Sequence, residues 1–286
     1  MSDSPVDDLN HSARMLDKIL LAEAIRRGQD PLWDVPLRGL SQSLAGEKSI
    51  REKQEEGFSQ NLPVSYLLSE SDYDIQSLKR ALVTLFYEVH NLEIDSETDH
   101  IELVNNLGKV LPEMIVHVLR ADQEYFESLA RRLDASLVVL SMVSGALLQP
   151  SMIYIASLSN RDYLDAWDIT ICPICGRTPS VVIKSESEVW RYKCSYCWAE
   201  YRMDIFRCPH CGSEGTENKE FLLVGESKAF EIASCQKCGY YYKIINAYKL
   251  NKPIPKGLED VYTEQLDEIA HQMGLTRIDE ILPEKR

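Results

Sequence analysis

"CSYCWAEYRMDIFRCPHCG", residues 194–212, holds two Cys-x-x-Cys pairs, Cys194/Cys197 and Cys208/Cys211, with an aromatic-rich stretch between them. A third pair, Cys172/Cys175, lies upstream and a fourth, Cys235/Cys238, downstream; together they account for all 8 cysteines of the 286-residue chain. Cys-x-x-Cys makes a tight turn that turns both sulfurs to one side and lets backbone N–H groups donate to them. Two such turns facing each other form a tetrahedral four-sulfur cage suited to zinc or a single iron. The eight thiols therefore predict two metal ions, iron or zinc, each held by two of these knuckles.

The surrounding sequence repeats itself. After Cys175 come "SVVIK", a polar turn "SESE" and "VWRYK", leading into Cys194; after Cys211 and its loop come "EFLLV", "GESK" and "AFEIAS", leading into Cys235. Each second pair is followed by an aromatic strand, "WAEYRMDIF" or "YYYKIINAY". The unit of pair, hairpin, pair and strand occurs twice, its first cysteines 36 residues apart. A spacing of 18 residues between Cys175 and Cys194 falls in the range of Cys₄ zinc sites, and the 23 between Cys211 and Cys235 runs slightly longer. Because a hairpin closes inside each unit, the favoured grouping is Cys172, Cys175, Cys194 and Cys197, then Cys208, Cys211, Cys235 and Cys238. An interleaved cross-brace stays open, since the linker of about ten residues can reach roughly 33 Å. Gly176, Gly212 and Gly239 follow their pairs, where the turn needs positive φ. Trp198 stands in that place after the Cys194/Cys197 pair, which predicts a knuckle built somewhat differently.

Ahead of this region the pattern is helical. "SARMLDKILLAEAIRRG" places Leu16, Ile19, Leu20 and Ala24 on one face. "SDYDIQSLKRALVTLFYEVHNL" does the same with Ile75, Leu78, Leu82, Leu85 and Phe86, behind Ser71 or Asp72 as N-cap. "IELVNNLGKVLPEMIVHVLR" and "QEYFESLARRLDASLVVLSMVSGALL" follow; the latter turns apolar all round, as a central buried helix does. "GEKSIREKQEEG" (46–57) reads as a solvated helix or loop. After the Pro-rich "NKPIPKG", "LEDVYTEQLDEIAHQM" predicts one amphipathic helix with Val261, Leu266, Ile269 and Met273 inward. The expected fold is thus α+β: a helical domain over 1–168, Cys₄ modules of zinc-ribbon type over 169–206 and 207–251, and a linker with a C-terminal helix over 252–286.

Charge and composition separate the function classes. The chain carries a net charge of −14, yet residues 161–250 hold 12 Lys/Arg against 12 Asp/Glu. A nucleic-acid module ordinarily shows a basic footprint, so no nucleic-acid partner is expected unless Arg202, Arg207 and Lys193 gather into a local basic face. The acidic start "MSDSPVDDLN" lacks the basic and apolar runs of a signal peptide. The apolar stretch Ser136–Pro150 is short for a membrane span. The expectation is a cytoplasmic protein without membrane insertion, in a compartment where paired cysteines serve as metal ligands or redox thiols rather than disulfides. A homo-oligomer is compatible with all of this.

No triad, phosphate loop or carboxylate pair stands out, and no catalytic or organic-cofactor residues are assigned. Thioredoxin-like chemistry needs Cys-x-x-Cys at a strand end opening a helix, whereas these pairs sit at hairpins. The aromatics Tyr192, Tyr196, Trp198, Tyr201, Phe206 and Tyr240 to Tyr242 read as hairpin packing. His210 reads as an exposed turn residue, and Glu200 and Asp204 as solvent-facing.

The series "CPICG", "CSYCWAEYRMDIFRCPHCG" and "SCQKCGYYYKI", behind a helical half and ahead of "LDEIAHQMG", resembles the formate dehydrogenase accessory protein family, FdhE. The resemblance is close from Cys172 to about Gly274 and looser before it. It implies a helical domain carrying two rubredoxin-like modules that bind iron through the cysteines. It also implies a non-catalytic cytoplasmic helper that contacts the catalytic subunit of a molybdenum or tungsten formate dehydrogenase during maturation. The alternative class is a zinc-ribbon protein associated with nucleic acid or transcription, and a third is a rubredoxin-type electron carrier.

Overall fold

The computed structural model describes residue 44 and residues 46–91, 100–187 and 189–278. The helix expected over residues 12–28 lies outside them. The chain divides into two compact units, Met1–Leu158 and Ser159–Arg286.

The described part of the first unit is helical: α1 (Glu47–Gln60), α2 (Ile75–Asn91), α3 (His100–Leu119), α4 (Gln123–Leu133) and α5 (Leu137–Ser157). The "GEKSIREKQEEG" stretch is a helix with one buried face rather than a solvated one. Ile50, Gln54 and Gly57 are buried, and Gln54 Nε2 donates to the Ile155 carbonyl at 2.7 Å. The N-cap of α2 is Asp74, not Ser71 or Asp72. Its carboxylate accepts the Gln76 N–H at 3.0 Å and the Ser77 hydroxyl at 2.6 Å, satisfying a donor that the first turn leaves orphaned. These hydrogen bonds, the Ser77 hydroxyl foremost, lower the Asp74 pKa. Asp72 instead closes a 3₁₀ turn (Glu70–Asp72), accepting from the Ser69 N–H at 2.9 Å and pairing with Lys53 at 3.3 Å.

As its apolar circumference predicts, α5 is the central helix of this unit. Leu140, Val143, Leu147, Leu148 and Ile155 are buried, and α5 packs against α2, α3 and α4. The helix runs beyond Pro150 to Ser157, so length does not exclude a membrane span. Its Val139–Ser157 stretch is long and apolar enough by composition, and 76% of that window is buried within the protein. A core helix passes the same test.

The second unit opens with a short helix, α6 (Arg161–Ala166), and is organised by one seven-stranded sheet. Its strands are β1 (Val181–Lys184), β2 (Trp190–Lys193), β3 (Glu200–Arg202), β4 (Lys219–Val224), β5 (Phe230–Cys235), β6 (Tyr240–Asn246) and β7 (Thr276–Arg277). Each sequence repeat forms an antiparallel meander, β1–β2–β3 and β4–β5–β6. The two meanders then join, because β1 pairs with β6 in parallel, Val181 opposite Lys243 through Lys184 opposite Asn246. The sheet order is β3-β2-β1-β6-β5-β4, with β7 beside the start of β6. The two repeats therefore share one sheet, and β6 is buried along nearly its whole length.

The C-terminal segment covers this sheet. It forms two helices, α7 (Glu259–Tyr262) and α8 (Glu264–Gln272), where the sequence pattern predicts one. Thr263 breaks the run: it sits at φ −103°, and its hydroxyl donates to the Glu259 carbonyl at 2.8 Å. Such local bonding competes with helix continuation. Leu266 and Ala270 pack on Ile232 and Tyr241, with Ile269 against the same cluster. Val261 is also buried, whereas Met273 is exposed rather than inward.

Beneath these helices lies a charged cluster that hydrophobic periodicity could not reveal. Lys243 Nζ lies 2.7 Å from Asp260 Oδ1 and 2.9 Å from Asp267 Oδ2. Arg277 reaches the same two carboxylates at 2.6 and 2.9 Å. Tyr241 donates its hydroxyl to Asp267 at 2.8 Å, and Arg277 also donates to Ser180 Oγ at 2.8 Å. All six residues are buried. Burial alone would raise the Asp260 carboxyl, but Arg277 and Lys243 hold it far below the usual range.

Two tetrathiolate clusters as candidate metal centres

The eight cysteines gather into two groups of four, with the membership favoured by the repeat. Within each group the sulfurs all lie within 4.8 Å of one another. The interleaved arrangement is not formed. In the first group Cys172 Sγ and Cys197 Sγ are 3.4 Å apart, as are Cys175 and Cys194. In the second, Cys208 to Cys238 and Cys211 to Cys235 are each 3.8 Å. A disulfide requires about 2.05 Å, and all eight thiols are free. A tetrahedral ion with metal–sulfur bonds of about 2.3 Å sets its sulfurs about 3.8 Å apart. The spacing of both groups fits an ion of that kind with little adjustment. Among the described residues these two are the groups of His, Cys, Asp or Glu able to hold a metal.

The same turn builds all four knuckles. The N–H of the residue after each second cysteine donates to the carbonyl of the first: Gly176 to Cys172 and Trp198 to Cys194 at 2.9 Å, Gly212 to Cys208 at 3.0 Å, Gly239 to Cys235 at 2.8 Å. Three of these residues are glycines with φ of 71°, 69° and 75°, and Trp198 adopts the same region at 62°. The knuckle with the tryptophan is thus not built differently. It accepts the left-handed strain, roughly 1–2 kcal/mol for a residue with a Cβ, and indole packing offsets it.

That packing sets a requirement on Gly257, which sits at φ 89° with the Trp198 ring so close that an added Cβ would overlap it. Gly257→Ala should destabilise the second unit by about 1–3 kcal/mol, from positive φ and overpacking together. Thermal unfolding followed by tryptophan emission measures the loss. An unchanged midpoint would mean that the ring simply moves aside.

Polar partners fix the strands around the first centre. Lys193, 2% exposed, pairs with Glu200 at 2.8 Å and Glu259 at 3.5 Å. Glu200 is therefore a half-buried ion-pair partner rather than a solvent-facing residue; burial alone would raise its pKa, and Lys193 brings it below its usual value. Burial raises that of Glu259. Arg191 forms a bidentate pair with Asp165, which ties α6 to β2. Tyr201 donates its hydroxyl to the Thr170 carbonyl, and Trp167 Nε1 donates to Ile171, both at 2.8 Å. Arg177 lies over the Tyr196 ring at 3.5 Å. The aromatic set is mostly packing, although Phe206 is exposed.

Of the three residues of the candidate basic face, Arg202 and Arg207 are exposed. Lys193 is buried between carboxylates, and Arg207 lies 3.7 Å from Glu214. His210 is half-buried rather than an exposed turn residue, stacked on Tyr240 with ring centroids 3.7 Å apart. Asp204 is exposed, as expected, and accepts from the Phe206 N–H at 2.8 Å.

Ser213, which sequence reasoning passed over, places its hydroxyl 3.3 Å from Cys211 Sγ and 3.4 Å from Cys235 Sγ. Its signal is its place directly after the knuckle glycine. Burial works against ionisation of Cys235. The Ser213 hydroxyl and the Cys238 and Lys237 amides more than offset it and bring that thiol down to about 6. In the first group, hydrogen bonds from Cys172, Cys175 and Cys197 hold Cys194 well below the ordinary thiol range, while burial pushes Cys172 and Cys197 up. Each group thus favours an anionic sulfur, as cation binding requires.

Comparison with known proteins places this arrangement. No protein-family model matches the chain. A protein named FdhE homolog from Aquifex aeolicus is 26% identical over 171 residues, 54% of this chain and 60% of that protein. The FdhE homolog of Pectobacterium atrosepticum is 30% identical over 109 residues, and FdhE of an Escherichia coli O127:H6 strain 30% over 110. The chain is thus similar in sequence to FdhE proteins. The match spans 37% of this chain and 35% of each of these two enterobacterial FdhE proteins. The crystal structure of the FdhE protein from Pseudomonas aeruginosa superposes with a TM-score of 0.50 at 16% identity, covering 85% of this chain and 83% of that one. At that identity the FdhE crystal structure speaks for the fold: a helical part followed by a sheet compatible with two zinc-ribbon modules.

Proposed function

We propose that this chain is a metal-binding accessory protein for a molybdenum or tungsten formate dehydrogenase, acting without catalysis of its own by docking on the enzyme's catalytic subunit in the cytoplasm. Cys172, Cys175, Cys194 and Cys197 hold one ion, and Cys208, Cys211, Cys235 and Cys238 the other. The observation that carries the reading is the pair of four-sulfur groups on one sheet in a chain related to FdhE proteins. The docking partner is a protein rather than a polyanion, because the chain is strongly acidic overall and two of the three residues of its candidate basic face, Lys193 and Arg207, face carboxylates. Electrostatics of this sign repel nucleic acid and select protein surfaces.

Two experiments test it. Purified protein should contain two metal ions per chain by mass spectrometry, with eight thiols titrating after denaturation and chelation. One ion, or disulfides in freshly reduced protein, would defeat the two-centre reading. Deleting the protein from its host should abolish formate oxidation while the catalytic subunit's transcript is unchanged, and tagged protein should retain that subunit. Normal formate oxidation, with no paralogue to substitute, would sink the accessory role; retention on DNA resin at physiological salt would promote the nucleic-acid alternative.

A further inference from the structure

The two centres share a turn but not an enclosure. In the first group Cys172, Cys175, Cys194 and Cys197 are all buried. Ile174 inside the knuckle, Trp167 and Tyr201 nearby are buried as well, so the four cysteines are far less open to solvent than those of the second group. In the second group Cys208 and Cys235 are buried, but Cys211 is exposed and Cys238 half-exposed. Gly212 and Glu214 beside it are also exposed, and the Ser213 hydroxyl between Cys211 and Cys235 is the polar cover on that side.

Solvent access decides how a four-coordinate thiolate ion exchanges. Departure needs either an incoming ligand on the ion or a proton on one of the sulfurs, and both must arrive from solvent. A closed Cys₄ shell blocks both routes until the fold opens, which is the condition of a structural site. The shell around a metal controls that access. An exposed sulfur is also the one an electrophile or a proton meets first.

We infer that the two centres divide their work: the first holds its ion for the lifetime of the fold, and the second takes up and releases a soft divalent cation through Cys211. The partner in exchange is a ligand of matching chemistry, a thiolate or imidazole chelator. The ion leaves as a cation, and the four sulfurs it vacates take up protons from solvent or remain thiolates, with no change of oxidation state. This inference rests on the reading of both groups as metal centres.

Full-length protein loaded to two zinc ions per chain is mixed with the chromogenic chelator 4-(2-pyridylazo)resorcinol under native conditions. One equivalent should leave about tenfold or more faster than the other, the scale by which outer-shell differences alter metal affinity. Limited iodoacetamide in the same solution should label Cys211 first, read by peptide mass spectrometry, with the four cysteines of the first group labelled last. The Cys211→Ser chain should hold one ion, and that ion should show the slow rate. Release of both equivalents at one rate, first labelling in the Cys172–Cys197 group, or retention of only the fast ion by Cys211→Ser would overturn the division of work. A wild-type chain that binds no zinc at all would overturn the metal-centre reading itself, and the division with it.

Discussion

Replacing Arg277 with methionine is expected to cost the second unit about 3–5 kcal/mol, the penalty for removing one partner from a buried charge cluster. The cluster holds two cations, Lys243 and Arg277, against two carboxylates, Asp260 and Asp267. Methionine conserves much of the volume, so the loss reports on the uncompensated carboxylates rather than on a cavity. Of the four tryptophans, Trp167, Trp190 and Trp198 lie in this unit, so emission during thermal unfolding follows it. The midpoint should fall by about 10–20 °C for a unit of this size. The acid limb of stability is set by the same residues. The folded Asp260 carboxyl is depressed below its ordinary 3.8. Its contribution is therefore complete above about pH 4 and is lost as pH falls through and below that value. In Arg277→Met, whose Asp260 is less depressed, stability should decline less steeply over this acid range than in the parent. Equal midpoints for the two proteins at pH 7 would show that the cluster contributes nothing net.

That cluster also marks the limit of what the sequence discloses. The knuckles, hairpins and their strand runs were legible because local rules set them: "SVVIK" and "VWRYK" contain β1 and β2, and "EFLLV" and "AFEIAS" contain most of β4 and β5. The grouping of sulfurs was legible for the same reason, since a hairpin brings its own two pairs together. The parallel pairing of β1 with β6 was not, because no local signal links Val181 to Lys243 across 61 intervening residues. No local pattern marks Lys243, Asp260, Asp267 and Arg277 as a set, and only the tertiary fold makes them buried partners. His210 and Glu200 were misread in the same way, as solvent-facing residues that in fact meet Tyr240 and Lys193. Trp198 misled in the opposite sense. Residue preference argued for an altered knuckle, and packing against Gly257 overrides that preference.

The shared sheet changes what losing one centre should do. Had each repeat folded alone, Cys172→Ser with Cys175→Ser would unfold one module and spare the other. Instead β1 is paired to β6, and Val181 and Val182 lie buried beside Lys243 and Ile244. A structural tetrathiolate ion contributes about 10–16 kcal/mol of apparent binding energy, far more than a unit of this size holds in reserve. Removing the first ion should therefore melt β1–β3, strip β6 of its parallel neighbour and weaken the second centre as well. The double variant should retain well under one ion per chain by mass spectrometry, and its tryptophan emission should resemble unfolded protein. Far-ultraviolet circular dichroism should keep most of its helical signal, because α1 to α5 form a unit of their own. A variant that keeps one full ion would mean that β4–β6 and the C-terminal helices suffice to hold the second centre. Loss of the helical signal would mean that the helices also depend on the metal-bearing unit.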